Sequence, residues 1–326
     1  MPEVKPFRTY AEQVALLQSR GMFIEDHARA EHQLATLNYY RLSGYWHTMR
    51  RIDPGTKASL DSFREGASFD LVVNLYRFDE RLRNAIFADL ARVELALRAL
   101  IGHRLGAIDP LIHLDTAKLG PPAQQPDRNN PTRTVHKVWL RKYNSALKTS
   151  KEDFVKHHQS CYAGKLPIWA AVEIMDWGML SHLYRMAPRQ ARDKVASELQ
   201  LRAPQLESWL RSLNILRNYA AHHARVFNRG FDIKPKLSQD PRLDSIRKVT
   251  NRAFGQLTLI RYLHRELGLS GPSQLPAVLG SFPHNELVPF DRLGAPYTWQ
   301  DLPLWSAPAM LPTPAQSPLT RGHARN

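Results

Sequence analysis

FDLVVNLYRFDERLRNAIFADLARVELALRALIGHRL, residues 69–105, is the stretch whose reading decides the fold. Val72, Leu75, Phe78, Leu82, Ile86, Leu90, Val93, Leu97 and Ile101 return every three or four residues, which lines one face of a helix with apolar side chains. A charged row runs beside that stripe: Asp79, Arg83, Glu94 and Arg98. Glu94 and Arg98 stand four apart, a spacing that ordinarily gives an exposed ion pair worth about a few tenths of a kcal/mol. The alternative is a pair lying along a cleft, where it would orient a functional group.

Upstream, short helices are expected over 10–17, ending near Arg20-Gly21, and over 24–37. They lead into Asn38-Tyr39-Tyr40-Arg41-Leu42-Ser43-Gly44-Tyr45-Trp46. Four aromatics around an arginine read either as a stacking surface for unpaired bases or as a core corner locking two helices. Residues 52–67, with Asp53-Pro54-Gly55 and Gly66, read as a loop.

Downstream, Gly120-Pro121-Pro122 and Pro131 mark a surface loop over 118–134. Helical character returns over 135–147. His157, His158 and Cys161 lie close together, but adjacent histidines point to different sides of a helix, and no third and fourth ligand stands at metal-binding spacing. Pro167 opens a helix whose apolar face is Ile168, Val172, Met175, Leu180 and Leu183, with Glu173 inside it either as a satisfied core or interface group or as part of a site. A basic segment covers 190–202, and Pro204 opens a helix expected to run to about residue 229. A last helix is expected over 244–267. Strand-like alternation is scarce, so the class is all-α. The expected organisation is a helical domain over 1–268 and a tail over 269–326, partly draped on the surface and largely disordered at its end, since ten prolines follow Gly268.

The chain of 326 residues carries 45 Lys+Arg against 30 Asp+Glu, a formal +15. That excess favours polyanionic partners, nucleic acid or an anionic membrane surface. Nowhere do about 18 apolar residues run uninterrupted, and the first ten residues have no signal-peptide core. Cys161 is the lone cysteine, which excludes an internal disulfide. A cytoplasmic setting, no membrane partner, no metal and no cofactor are the expectations.

The helix over 205–229 carries the chemistry. Leu206, Leu210, Leu213, Leu216, Ala220 and Phe227 form its apolar stripe. Asn214, Asn218, His222 and Arg225, spaced by four, four and three, are expected on one side, with Arg217 flanking them. A guanidinium grips a phosphodiester through two parallel hydrogen bonds, and an imidazole titrates near neutrality. Together they suit metal-free RNA cleavage, in which the ribose 2′-hydroxyl attacks its own phosphate. His222 would remove that proton or supply one to the leaving 5′-oxygen. Arg217 would stabilise the phosphoryl charge, and Asn218 would orient the imidazole or contact the phosphate.

Leu216-Arg217-Asn218-x-x-Ala221-His222-His223-x-Arg225-x-x-Asn228-Arg229 resembles the signature of bacterial abortive-infection proteins of the AbiD/AbiF type. These look like members of the HEPN superfamily, in which R-x(4–6)-H marks RNases. Ser19-Arg20-Gly21, the 38–46 cluster, Leu75-Tyr76-x-Phe78-Asp79-x-x-Leu82-Arg83, Glu94-x-x-x-Arg98, and Leu166-Pro167-Ile168-Trp169 with Glu173 and Gly178 look like further family blocks, over most of residues 15–230. The resemblance implies a HEPN-like helical bundle and RNA cleavage that halts a phage-infected cell. Arg217 and His222 match the motif's arginine and histidine, and Asn218 its polar second position. His223 also satisfies the spacing, and Phe227 stands where relatives often carry tryptophan. HEPN RNases commonly pair two motifs across a helix interface, so a homodimer is expected. His223, Arg225, Glu94, Arg98 and Asn214 are candidate supporting residues, and Tyr39, Tyr40, Arg41 and Arg83 candidate RNA-binding residues. The competing readings are a non-catalytic module that holds a structured or non-coding RNA, and a partner-regulated interaction protein.

Overall fold

The 69–105 periodicity becomes one helix, α4 (Phe69–Gly106), in a computed structural model that describes residues 4–306. Ser68 caps its start by accepting the Leu71 amide, and Asp70 in the first turn and Arg104 in the last complement its dipole. At about 1.5 Å per residue it is a spine roughly 57 Å long. All nine predicted stripe residues are buried. The other helices are α1 (Tyr10–Ser19), α2 (His27–Leu37) and α3 (Tyr39–Trp46), then α5 (Val135–Thr149), α6 (Asp153–Cys161), α7 (Ile168–Ala171), α8 (Trp177–Met186), α9 (Arg189–Glu198), α10 (Ala203–Ala221), α11 (Ala253–Glu266) and α12 (Leu275–Gly280), of which α3 and α7 to α12 pack directly on α4. The architecture is all-α. No helix among the described residues is long and apolar enough to cross a membrane.

Several boundaries differ from the sequence expectation. Residues 52–67 are not a plain loop: β1 (Arg50–Ile52) and β2 (Ser59–Phe63) form an antiparallel hairpin. Its turn is held by Asp53, whose Oδ1 accepts the Gly55 and Thr56 amides at 3.0 and 2.7 Å. The helix opened by Pro167 breaks between α7 and α8. The basic 190–202 segment contains α9, and the helix expected over 244–267 begins at Ala253, after a 3-10 turn over Pro241–Ile246. The 118–134 loop is stitched to the fold: the Gly120 amide donates to the Met186 carbonyl at 2.7 Å, and Ala123 is fully buried.

The segment set apart as a tail enters the core as far as it is described. Leu275, Leu279, Val288, Leu293 and Leu304 are buried, Phe282 lies edge-on to Phe78 at 5.1 Å, and Trp305 stacks on Phe254 at 5.0 Å. Proline blocks long helices in this segment but not side-chain burial, and its aromatics close the far side of α4. Residues 307–326 lie outside the described residues.

Against α5 sits an unusual buried group. His113 has no solvent exposure, and neither ring nitrogen has a hydrogen-bond partner among the described residues. Its ring meets Tyr143 edge-on at 5.1 Å. Burial, with a smaller push from His136, lowers its pKa from 6.5 to about 4. Its neutral form is therefore the one that folds. Between those values the unfolded chain binds the extra proton, so stability falls as pH drops from about 6.5 toward 4, by up to about 3 kcal/mol. His113→Phe removes two unpaired buried nitrogens and keeps the edge-on packing. Denaturant titrations should find this variant at least as stable as wild type at neutral pH and less sensitive to acid. An unchanged acid dependence would contradict the assignment.

Candidate functional site

Helix α10 is positioned at both ends and along its length. Pro204 sits in its first turn, and the Arg202 amide donates to Gln205 Oε1 at 2.8 Å. Leu206, Leu210, Leu213 and Leu216 are buried, and Trp177 Nε1 pins the Leu210 carbonyl at 2.8 Å. The helix stops at Ala221 rather than near residue 229.

The stop is a Schellman turn. The His222 amide still donates to Asn218 at 2.9 Å, while His223 donates to Ala220 at 3.3 Å and Ala224 to Tyr219 at 2.9 Å. His223 holds the left-handed position, φ +54°, where glycine is usual. His222 thus leaves the helix one turn past Asn218, whereas His223 sits where the backbone reverses. Both side chains are exposed.

The chain beyond the turn is seized from below. Asp79 on α4 has no solvent exposure, and its Oδ1 accepts the Phe227 amide at 2.7 Å. The Val226 amide approaches the same carboxylate at 3.2 Å, Tyr45 Oη donates to it at 2.6 Å, and Arg83 Nη1 at 2.6 Å. Burial pushes this carboxyl's pKa up, against the pull of Arg83, Tyr45 and the two amides. Four donors on two oxygens are the partners a carboxylate requires.

Helix α3 braces the same turn. Arg41 Nη1 donates to the His223 carbonyl at 2.8 Å, and a Cβ at Gly44 would lie 3.3 Å from Arg225 Nε, so glycine is what lets Arg225 pass. Tyr45 and Trp46 are buried, Tyr39 meets Trp46 edge-on at 4.9 Å, and of the four aromatics only Tyr40 is broadly exposed, at 66%. The cluster is chiefly a core corner.

Three expectations need correction. Arg83, read as an RNA contact, is 2% exposed and committed to Asp79. Arg225 does not continue the row of Asn214, Asn218 and His222, because the helix has ended; its guanidinium bonds the Phe227 carbonyl at 3.2 Å. Glu94 and Arg98 are not an exposed pair: Glu94 is buried, and Arg98, bonded to it at 2.6 Å, also donates to the carbonyls of Met175 at 2.6 Å and Glu173 at 3.3 Å. Arg98 thereby fixes the break between α7 and α8. The Glu173 side chain is exposed, 3.8 Å from Arg98.

Asp176 follows that break and caps α8, its Oδ1 accepting the Met179 amide at 2.7 Å. Together α5, α8, α10 and the 118–134 loop enclose a cleft of about 590 Å³. Asn214, Arg217 and Asn218 line it from α10, Arg141 and Lys142 from α5, Asp176 and His182 from α8, and Asp127 from the loop. Arg217 also lies over the Phe87 ring, 5.4 Å from its centroid. His182 was not singled out from the sequence. Although its side chain reaches solvent, desolvation against the wall, then Arg185, Lys142 and Arg211, lower its pKa, with Asp127 opposing. Gly178, one helical turn before His182, keeps the cleft open: a Cβ there would lie 3.2 Å from Asp176 Oδ1 and 3.7 Å from Asn214 Nδ2.

Cys161 and His157, 3.8 Å apart, lie exposed on α6. Among the described residues, no group of three or more His, Cys, Asp or Glu is gathered as metal ligands.

A family model described as Abi-like protein matches residues 32–228. That span holds the α3 brace, the Asp79 knot, the cleft walls and the capped end of α10. No curated protein and no solved structure matches the chain.

The left-handed His223 gives a test of the helix end. His223→Gly removes the Cβ strain of that conformation, so chemical denaturation should show a gain of about 1 kcal/mol with the turn kept. A loss of stability would mean that the His223 side chain itself stabilises the turn.

Proposed function

The chain belongs to the Abi-like protein family, and from that premise we propose that it is an abortive-infection toxin of the AbiD/AbiF type, a HEPN-superfamily endoribonuclease working in the cytoplasm without a metal. The carrying observation is that Arg217, Asn218 and Asn214 line one cationic cleft with Arg141 and Lys142, while His222 caps the same helix one turn beyond Asn218. In the reaction, Arg217 holds the scissile phosphodiester through paired N–H donors and stabilises charge on its oxygens as the 2′-oxygen attacks. Lys142 and Arg141 add positive potential for neighbouring phosphates. Asn218 orients the phosphate or the imidazole, and His222 carries a proton.

The expected homodimer has a surface to use. Phe87, Ala91, Leu95 and Ala99 recur every four residues along α4 and are all exposed, Phe87 by 42% and Leu95 by 56%. Arg217 packs on Phe87, so a two-fold axis through this stripe would bring two Arg217 sets toward one another.

One observation favours a second reading, a module that binds a structured or non-coding RNA without cutting it. His222 is exposed and is not among the residues lining the cleft. One assay separates the two. Purified protein with total RNA in EDTA should leave 2′,3′-cyclic phosphate ends, and Arg217→Ala and His222→Ala should each lower the rate by about 100-fold or more. Tight binding with no cleavage would establish the second reading. A protein that cuts as a monomer would remove the dimer.

A further inference from the structure

Transesterification at phosphorus needs two proton transfers, one from the attacking 2′-hydroxyl and one to the departing 5′-oxygen. The α10 end offers His222, the cap residue one turn past Asn218, while His223 sits at the left-handed reversal. The cleft holds another, His182 on α8. The three buried histidines serve the fold: His136 bonds Thr116 Oγ1 at 2.7 Å and the His113 carbonyl at 2.9 Å, His264 bonds the Asp89 carbonyl at 3.1 Å, and His113 is sealed from solvent with neither ring nitrogen paired among the described residues. His182 differs from all three. Its ring makes no hydrogen bond among the described residues, it reaches solvent, and it opens into the cleft that Arg217 and Asn218 line.

We propose that His182 is a catalytic residue, the general base that takes the 2′-hydroxyl proton of the RNA, with His222 as the general acid; the inference rests on the ribonuclease reading above. The 2′-O–H bond breaks, and its proton passes to a neutral His182 ring nitrogen. The 2′-oxygen bonds to phosphorus, the P–O5′ bond breaks, and the 5′-oxygen takes a proton from His222. The products are a 2′,3′-cyclic phosphate and a 5′-hydroxyl, and solvent resets both imidazoles. The surroundings favour a neutral resting His182. Arg185 lies on its own helix, Lys142 and Arg141 on α5, and Arg211 and Arg217 on α10, against Asp127 from the loop and Asp176 at the α8 cap. That cationic excess disfavours a charged imidazole and suits a base at neutral pH.

The test uses the full chain in EDTA from about pH 5 to 9, on an RNA oligonucleotide and on the same RNA with sulfur replacing the bridging 5′-oxygen at the cut site, whose thiolate leaves without protonation. His182→Gln should lose about 100-fold or more in kcat on both substrates, keep KM within about threefold, and lose the rise of rate with pH on the acid side. His222→Gln should be as slow on RNA but recover on the sulfur substrate. A His182→Gln protein that keeps wild-type kcat and its acid limb, or that the sulfur substrate rescues, overturns the assignment of the base while leaving the nuclease reading standing. Failure of the wild type to cut either substrate overturns both. A merely structural His182 would shift the melting curve and KM without moving the acid limb.

Discussion

A carboxylate with no access to solvent ties α4, α3 and the segment after α10 together. Asp79 gathers the Phe227 and Val226 amides, the Tyr45 hydroxyl and the Arg83 guanidinium, so that α4, α3 and the turn after α10 share one knot. Leaving such a charge unpaired inside a protein costs about 3–5 kcal/mol, which makes the knot all-or-none. Any displacement of the turn strands Asp79, and any loss of Asp79 frees the turn.

The spine repeats the device at its other end. Glu94, also four residues from its partner, accepts from Arg98, and Arg98 donates to the carbonyls of Glu173 and Met175 and so places Asp176 at the start of α8. One pair fixes the end of α10 and the other the start of α8, two of the elements whose side chains face each other across the cleft. Arg41 reinforces the first by holding the His223 carbonyl, and Trp177 links the two by bonding Leu210. The side chains exposed to solvent, His222 and His182, thus stand on backbone held by buried polar contacts, the arrangement a preorganised site requires.

The spine was legible in the sequence because its stripe never breaks period. So was the grouping of Arg217, Asn218 and Asn214, which needs only helical spacing. The partner of the Asp79 and Arg83 row was not, since it lies 147 residues away and is a backbone amide that any residue could supply. The end of α10 was hidden because His223 takes the position where a glycine would have announced a stop. His182 escaped notice because its neighbours come from α5, α10 and the loop. The burial of residues 269–306 was masked by proline, which leaves no period to read although Phe282, Phe290 and Trp305 are all buried.

Whether Asp79 holds the turn that presents His222 is read directly by amide hydrogen exchange. In the wild type, the Val226 and Phe227 amides should exchange as slowly as those of the α10 interior. In Asp79→Asn, which keeps the side chain's size but removes its charge, these two amides should lose protection by about 100-fold while mid-α10 amides keep theirs. Unchanged protection at Val226 and Phe227 in that variant would contradict the account.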